Sequence, residues 1–189
     1  MSQYGIDGVE LKTIMHEAGA RNRSAIDYHF GNREGLVQAI GAKHRPPINA
    51  ARNRLLDRLG PDPTIDEIVH AAVTPLVDCL GTPSGRAYLI VAAEAMGRVG
   101  AARLHAIQRQ HDDSARRVID LLDQRLPGGP QTRHLLIGQM MLVSFVLLAD
   151  VAREVNRGQI TAAQAKRRGR TVATFGAEAL HHRGDRQRM

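Results

Sequence analysis

The sequence predicts an all-α protein in two parts, a short helix-turn-helix segment followed by a longer helical body. Three observations lead there. Apolar residues recur at i, i+3, i+4 and i+7 in segment after segment, the spacing of one helical face. Aromatic residues make up only 3% of the chain, with no Trp, so the core must be Leu, Ile, Val, Ala and Met. That mixture favours helix over sheet. Gly- and Pro-rich stretches then cut the chain at wide intervals, as loops between long helices require.

The first helix is expected from about Gly8, capped by Asp7, to Ala18, with Leu11, Ile14, Met15 and Ala18 on one face. Gly19 sits where a residue with positive φ commonly stops a helix. Arg21, Asn22, Arg23 and Ser24 open a second, polar helix that ends near Tyr28-His29-Phe30. Gly31-Asn32 breaks it, and a third helix starts at Arg33-Glu34 with Leu36, Val37 and Ile40 facing Ile26 and Phe30. Helix, tight turn, polar helix is the helix-turn-helix pattern. Pro46-Pro47 should interrupt the third helix, because proline lacks a donor and restricts the residue before it. Ile48 to Leu59 continues beyond, and the whole reads as one long kinked connection.

Gly60-Pro61-Asp62-Pro63 is a loop, and Thr64-Ile65-Asp66-Glu67 reads as a capping box opening a helix to about Leu80. Pro75 should bend that helix. Helices over Ser84–Arg98 and Leu104–Leu126 follow, and Pro127-Gly128-Gly129-Pro130 is the strongest break in the chain. The next helix, Thr132–Asn156, is apolar nearly all round from Leu135 to Ala149 and should be buried on every side. Its apolar run is 15 residues, short of the ~20 needed to cross a bilayer, and charged residues follow at once. A membrane span is therefore not expected. Gly158 should close it. Thr161 to Gln164 makes a second capping box for a last helix to about Leu180. These two terminal helices, one too apolar for a monomer's surface, suggest a helical-bundle homodimer interface.

The net charge is +7 and the pI near 10.4, a balance common in proteins that meet nucleic acid or anionic surfaces. The distribution is uneven. Residues 1–45 hold six Lys/Arg against five Asp/Glu, whereas residues 153–189 hold nine against three. The lone Cys79 excludes an intrachain disulfide and fits a reducing, cytoplasmic setting. No leader peptide is visible in the first fifteen residues.

In a helix-turn-helix the start of the second helix meets base edges and its flanks meet phosphate. Asn22, Arg23 and Ser24 stand at that start, and Arg can pair with guanine, Asn with adenine and Ser with either. Any one of them serves equally well as a helix cap. Tyr28 and His29 lie one turn on, placed to donate to phosphates. Arg33 adds a cation to the free N–H groups of a helix start. Arg21 completes the DNA-binding set.

The arrangement Ala18-Gly19, Tyr28-His29-Phe30 and Arg33-Glu34-Gly35-Leu36 resembles the TetR/AcrR family of transcriptional regulators, over about residues 4–40. In one respect the chain departs from the family's pattern. The span from Gly19 to Phe30 is one residue longer than usual, which puts Ile26 or Asp27 where a backbone-contacting Tyr often stands. The resemblance implies a further helix before this point, so the expectation is a head truncated at its N-terminus. It also implies an inducer held between body helices. Leu76, Tyr88, Ala92, Met96, Met140 and Phe145 are the candidates, residues that in such positions are more often plain core, and their character points to a hydrophobic or aromatic ligand.

Enzyme signatures fail. His16-Glu17 begins like a zinc-peptidase helix, but Ala20 stands where the second His belongs. Asp27 and His29 are two apart on a helix and make no dyad. No cofactor or metal is expected. The expectation is thus a helix-turn-helix DNA-binding region over 1–45, a ligand-binding and dimerisation body over 46–182 and a basic tail over 183–189. The function expected is a ligand-responsive repressor, a homodimer on a double-stranded, pseudo-palindromic DNA operator. The competing reading is a helical small-molecule-binding or interaction protein without DNA-binding activity, favoured by the nearly neutral N-terminal region.

Overall fold

A computed structural model describes residues 33–99 and 113–185. Within them the chain is all-helical, and no strand occurs among the described residues. The helices are α1 (Arg33–Leu56), α2 (Ile65–Cys79), α3 (Pro83–Val99), α4 (Asp113–Asp123), α5 (Pro130–Asn156) and α6 (Ala162–Asp185). The expected first two helices, over Gly8–Ala18 and Arg21–Phe30, lie outside the described residues, as does most of the segment before Asp113.

The helix ends follow the local chemistry. At α2 the Thr64 hydroxyl accepts from the Glu67 N–H while the Glu67 carboxylate accepts from the Thr64 N–H at 2.7 Å, a complete capping box. The Thr64 hydrogen bonds hold the Glu67 carboxyl below its ordinary pKa. Thr161 and Gln164 repeat the exchange at α6, at 2.8 and 3.2 Å. Gly158 ends α5 with φ of 69°. Its N–H reaches the Val155 carbonyl and that of Gln159 reaches Glu154, a pairing that a left-handed residue makes possible. Pro130, expected in the loop, is instead the first residue of α5, where its missing N–H costs nothing.

Pro46-Pro47 does not interrupt α1, which runs through both residues. The carbonyls left without an internal donor belong to Ala42 and Lys43. Both are exposed, as are the prolines, so water can satisfy them. Ile48, Arg52 and Leu56, buried at i, i+4 and i+8, hold the following turns against the body.

α2 packs on α6, α3 on α5, and α5 on α6, while α1 lies across α2, α3 and α4. Gly169 and Gly176 let α6 close on its neighbours. A Cβ at Gly169 would stand 2.9 Å from Leu80 Cδ1 and Val77 Cγ1, and one at Gly176 would touch Met140 and Val69. A tighter approach is made by Gly85, where a Cβ would lie 2.2 Å from the Cys79 carbonyl oxygen. The corner between α2 and α3 thus requires glycine.

α5 is not buried on every side. Leu136, Ile137, Met140, Phe145 and Leu148 enter the core. Leu135, Val143, Val146 and Leu147 form a strip that is 37–46% exposed, and on α6 Phe175 is 51% exposed. By length and composition α5 could cross a membrane, with a mean hydropathy of 2.1 over its most apolar window, yet 56% of that window is buried in the body.

Polar contacts fix how the helices run. At one end, His44 of α1 meets Ser84 of α3, Arg86 of α3 reaches Asn156 of α5, and Lys166 of α6 reaches Asp78 of α2. At the other, His181 of α6 meets Asp66 of α2, and Arg133 of α5 pairs with Asp123 of α4. The first end is where residues 1–32 join the body through α1.

Candidate functional site

The body's candidate site is the junction of α1, α3 and α5. Tyr88, Ala92 and Met96 are four apart in sequence, so α3 carries them on neighbouring positions of one face. Tyr88 is buried, while Ala92 and Met96 are partly buried against the core. Phe145 meets the Tyr88 ring edge-on, with centroids 6.4 Å apart and planes at 75°. His44 stacks on Tyr88 at 5.1 Å and 20°, and its Nε2 lies 3.0 Å from the Ser84 hydroxyl. The chain has few aromatics, and three rings from three helices converge here. Burial, then the neighbouring Lys43 ammonium, lowers the His44 pKa below its ordinary value. The neutral imidazole, one nitrogen donating and the other accepting, is the form this site favours.

The structure divides the expected ligand set. Tyr88 and Phe145 touch, and Ala92 and Met96 extend from them along α3. Met140 turns elsewhere, because five residues along a helix separate it from Phe145 by about 140°. It packs against Gly176 of α6, and its carbonyl accepts from Ser144 at 2.8 Å. Leu76 is buried on α2 and shares a face with Val69 and Leu80, both of which approach glycines of α6. The packing of α6 against α2 and α5 therefore occupies the faces that carry Leu76 and Met140.

A polar node lies two turns further along α1. Arg52 is 7% exposed. Its Nε donates to the Ala72 carbonyl at 3.2 Å and its Nη1 to the Ser114 hydroxyl at 2.8 Å. Ala72 belongs to the turn of α2 that Pro75 disturbs, since proline has no N–H and its ring crowds the preceding turn. Arg52 thus ties α1 to that turn and to α4. Asn49, three residues earlier, has its Oδ1 buried with no hydrogen-bond partner, an acceptor that could take a donor from a polar ligand group. Nearby on α2, burial and then the Asp78 carboxylate push the Cys79 thiol up to about 11, Arg52 opposing them. The thiol is protonated at neutral pH and is a poor nucleophile.

His44, Ser84, Asn49, Arg52 and Ser114 were not among the expected site residues. Arg52 carried a readable signal, a cation on the Ile48–Leu56 apolar stripe, where only a paired charge can sit. His44 carried none, since its partners are forty and more residues away in sequence.

The DNA-binding candidates Arg21, Asn22, Arg23, Ser24, Tyr28 and His29 lie outside the described residues. Arg33 is the first residue of α1, and its side chain lies outside them too. Among the described residues no three His, Cys, Asp or Glu side chains gather as metal ligands would. No family model matches the chain, and neither does any curated protein or solved structure. The TetR/AcrR resemblance therefore rests on residues 4–40 themselves.

Proposed function

We propose that this protein is a ligand-responsive transcriptional regulator of the TetR/AcrR kind, a repressor that binds a pseudo-palindromic operator as a homodimer. The observation that carries the reading is the ordered motif from Ala18-Gly19 through Tyr28-His29-Phe30 to Arg33-Glu34-Gly35-Leu36. It leads directly into α1, which begins at Arg33 and packs on the body through Ile48, Arg52 and Leu56. Arg23 and its neighbours read bases, and Arg33 holds phosphate. Tyr88 and Phe145, with His44, form one end of a site for a small aromatic or hydrophobic ligand. The exposed strip of Val143, Val146 and Leu147 with Phe175 suits a second copy in a bundle of α5 and α6, since burial of apolar area drives such association. Ligand binding acts through α1, by differing in affinity for two of its positions.

The test is fluorescence anisotropy of the full chain on genomic duplex fragments across a salt series. A regulator binds with a steep salt slope and a sequence preference. Arg23→Ala relaxes the preference, and Arg33→Ala weakens all sequences alike. If there is neither slope nor preference, the regulator reading fails. The nearly neutral composition of residues 1–45 would then favour a helical ligand-binding protein without DNA-binding activity.

A further inference from the structure

The positive charge of this chain is concentrated in sequence far from the helix-turn-helix segment, but the fold carries much of it to the end of the body from which α1 starts. α5 ends, and α6 begins, at the end of the body where α1 joins residues 1–32. Arg86 in the first turns of α3 hydrogen-bonds Asn156 at the close of α5, and Lys166 of α6 pairs with Asp78 at the close of α2. His44 of α1 meets Ser84 at this same level. Arg157 follows Asn156 directly, and Arg167 and Arg170 stand within a turn or so of Lys166. All three are exposed, as is Lys43 on α1. The acids of this end are few. Asp78 and Glu154 are engaged by Lys166 and Arg168, and Asp150 lies more than a turn further in. The opposite end is different. Asp57, Asp62, Asp66 and Asp123 lie there, and they answer Arg117, Arg125, His181 and Arg133. The body is therefore polarised along its helices, positive at the end from which α1 starts.

We propose that this corner of α5 and α6, centred on Arg157, Arg167 and Arg170, is a second nucleic-acid surface that attracts the phosphate backbone without reading sequence. The proposal rests on the regulator reading and adds the electrostatic component that residues 1–45 lack. Guanidinium groups suit phosphate by charge and by their planar donors. Their reach is set by ionic strength, about 8 Å at 0.15 M salt and about 30 Å at 0.01 M. The surface thus acts as a steering field as well as a docking face. An anionic membrane is less favoured, because the exposed apolar strip of α5 lies two or more turns from this corner and Phe175 of α6 more than a turn from Arg170.

The experiment compares the full chain with R157Q/R167Q/R170Q, and with R54Q/R58Q as a control from the other half of the body. Each is titrated onto random-sequence duplex DNA and onto phosphatidylserine vesicles from 20 to 300 mM KCl. Glutamine keeps helix propensity, and circular dichroism checks that the fold is kept. The expected result is a log–log salt slope shallower by up to roughly 2.7 in the triple variant, about 0.9 for each phosphate that is no longer neutralised. The control should match the wild type, and the ratio of specific to random affinity should change less than twofold. Equal slopes in wild type and triple variant, with DNA still bound, overturn this proposal and leave the regulator reading standing. Wild-type binding to vesicles but not to DNA, or to neither, overturns both.

Discussion

Removing the Arg52 side chain's charge should destabilise the body strongly, and the loss should be shared with Ser114. The guanidinium is 7% exposed and makes a charge-assisted bond to Ser114 at 2.8 Å and another to the Ala72 carbonyl at 3.2 Å. Such bonds contribute roughly 1.5–3 kcal/mol each. Arg52→Met keeps most of the apolar stem and relieves the desolvation of the cation, so the net cost should be nearer 2–4 kcal/mol. Ser114→Ala removes the acceptor from a fully buried position and should cost about 1–3 kcal/mol. In the double variant neither partner is left unmatched by the other, so the combined loss should fall short of the sum by about 1–2 kcal/mol. Urea unfolding at 222 nm measures all three. For a chain of this size, each kcal/mol corresponds to about 2–4 °C in the melting temperature. Additive single effects, or an Arg52→Met loss under about 0.5 kcal/mol, would refute the claim that this node anchors α1.

Three further outcomes follow from the geometry. Gly85→Ala places a Cβ against a backbone carbonyl and should prevent soluble expression or lower the melting temperature by more than 10 °C, a cost above roughly 3 kcal/mol, whereas Gly97→Ala, with open space around it, should stabilise by about 0.5–1 kcal/mol. The lowered pKa of His44 means that the unfolded chain takes up its proton first, so stability should be complete above about pH 6.5 and be lost as pH falls below it. His44→Phe should keep the stack and flatten that part of the melting-temperature–pH curve; an unchanged slope would show that the imidazole is not the responsible group. Val146→Glu/Leu147→Glu should convert a dimer to a monomer in light scattering after gel filtration while leaving the helix content intact, and a monomeric wild type would remove the strip from the dimer proposal.

Much of the body was legible because its signals are local. Both capping boxes and the Gly158 stop are decided within six residues, and the structure forms each of them. Pro46-Pro47 misled because part of the penalty for proline inside a helix is its unsatisfied carbonyls, and on this face water reaches them. The apolar run of α5 showed that the helix would be largely buried. It could not show that one strip would stay uncovered in a single chain, because that depends on which helices arrive as neighbours. The structure brings only some of the ligand candidates together, for the same reason. Periodicity placed Tyr88, Ala92 and Met96 on one face of α3 and set Met140 about 140° from Phe145 on α5, but only the packing of α6 on α2 shows which face of α2 carries Leu76.

These distances also bound how a ligand could act under the proposed regulator reading. Shifting α1 between two positions from 1:99 to 99:1 requires about 5.5 kcal/mol of differential binding. Disturbing the His44–Tyr88 stack supplies about 0.5–1.5 kcal/mol, and the neighbouring hydrogen bond to Ser84 a similar amount. Together they fall short. The Arg52 node, with two charge-assisted bonds to α2 and α4, is a further tie on α1 large enough to close the gap. A ligand that only displaced the aromatic rings would therefore produce a partial response, and one that also moved the turn of α2 at Pro75 a larger one. That turn holds the Ala72 carbonyl that Arg52 grips, so a ligand wedged between α2 and α3 would act on both ties of α1 at once.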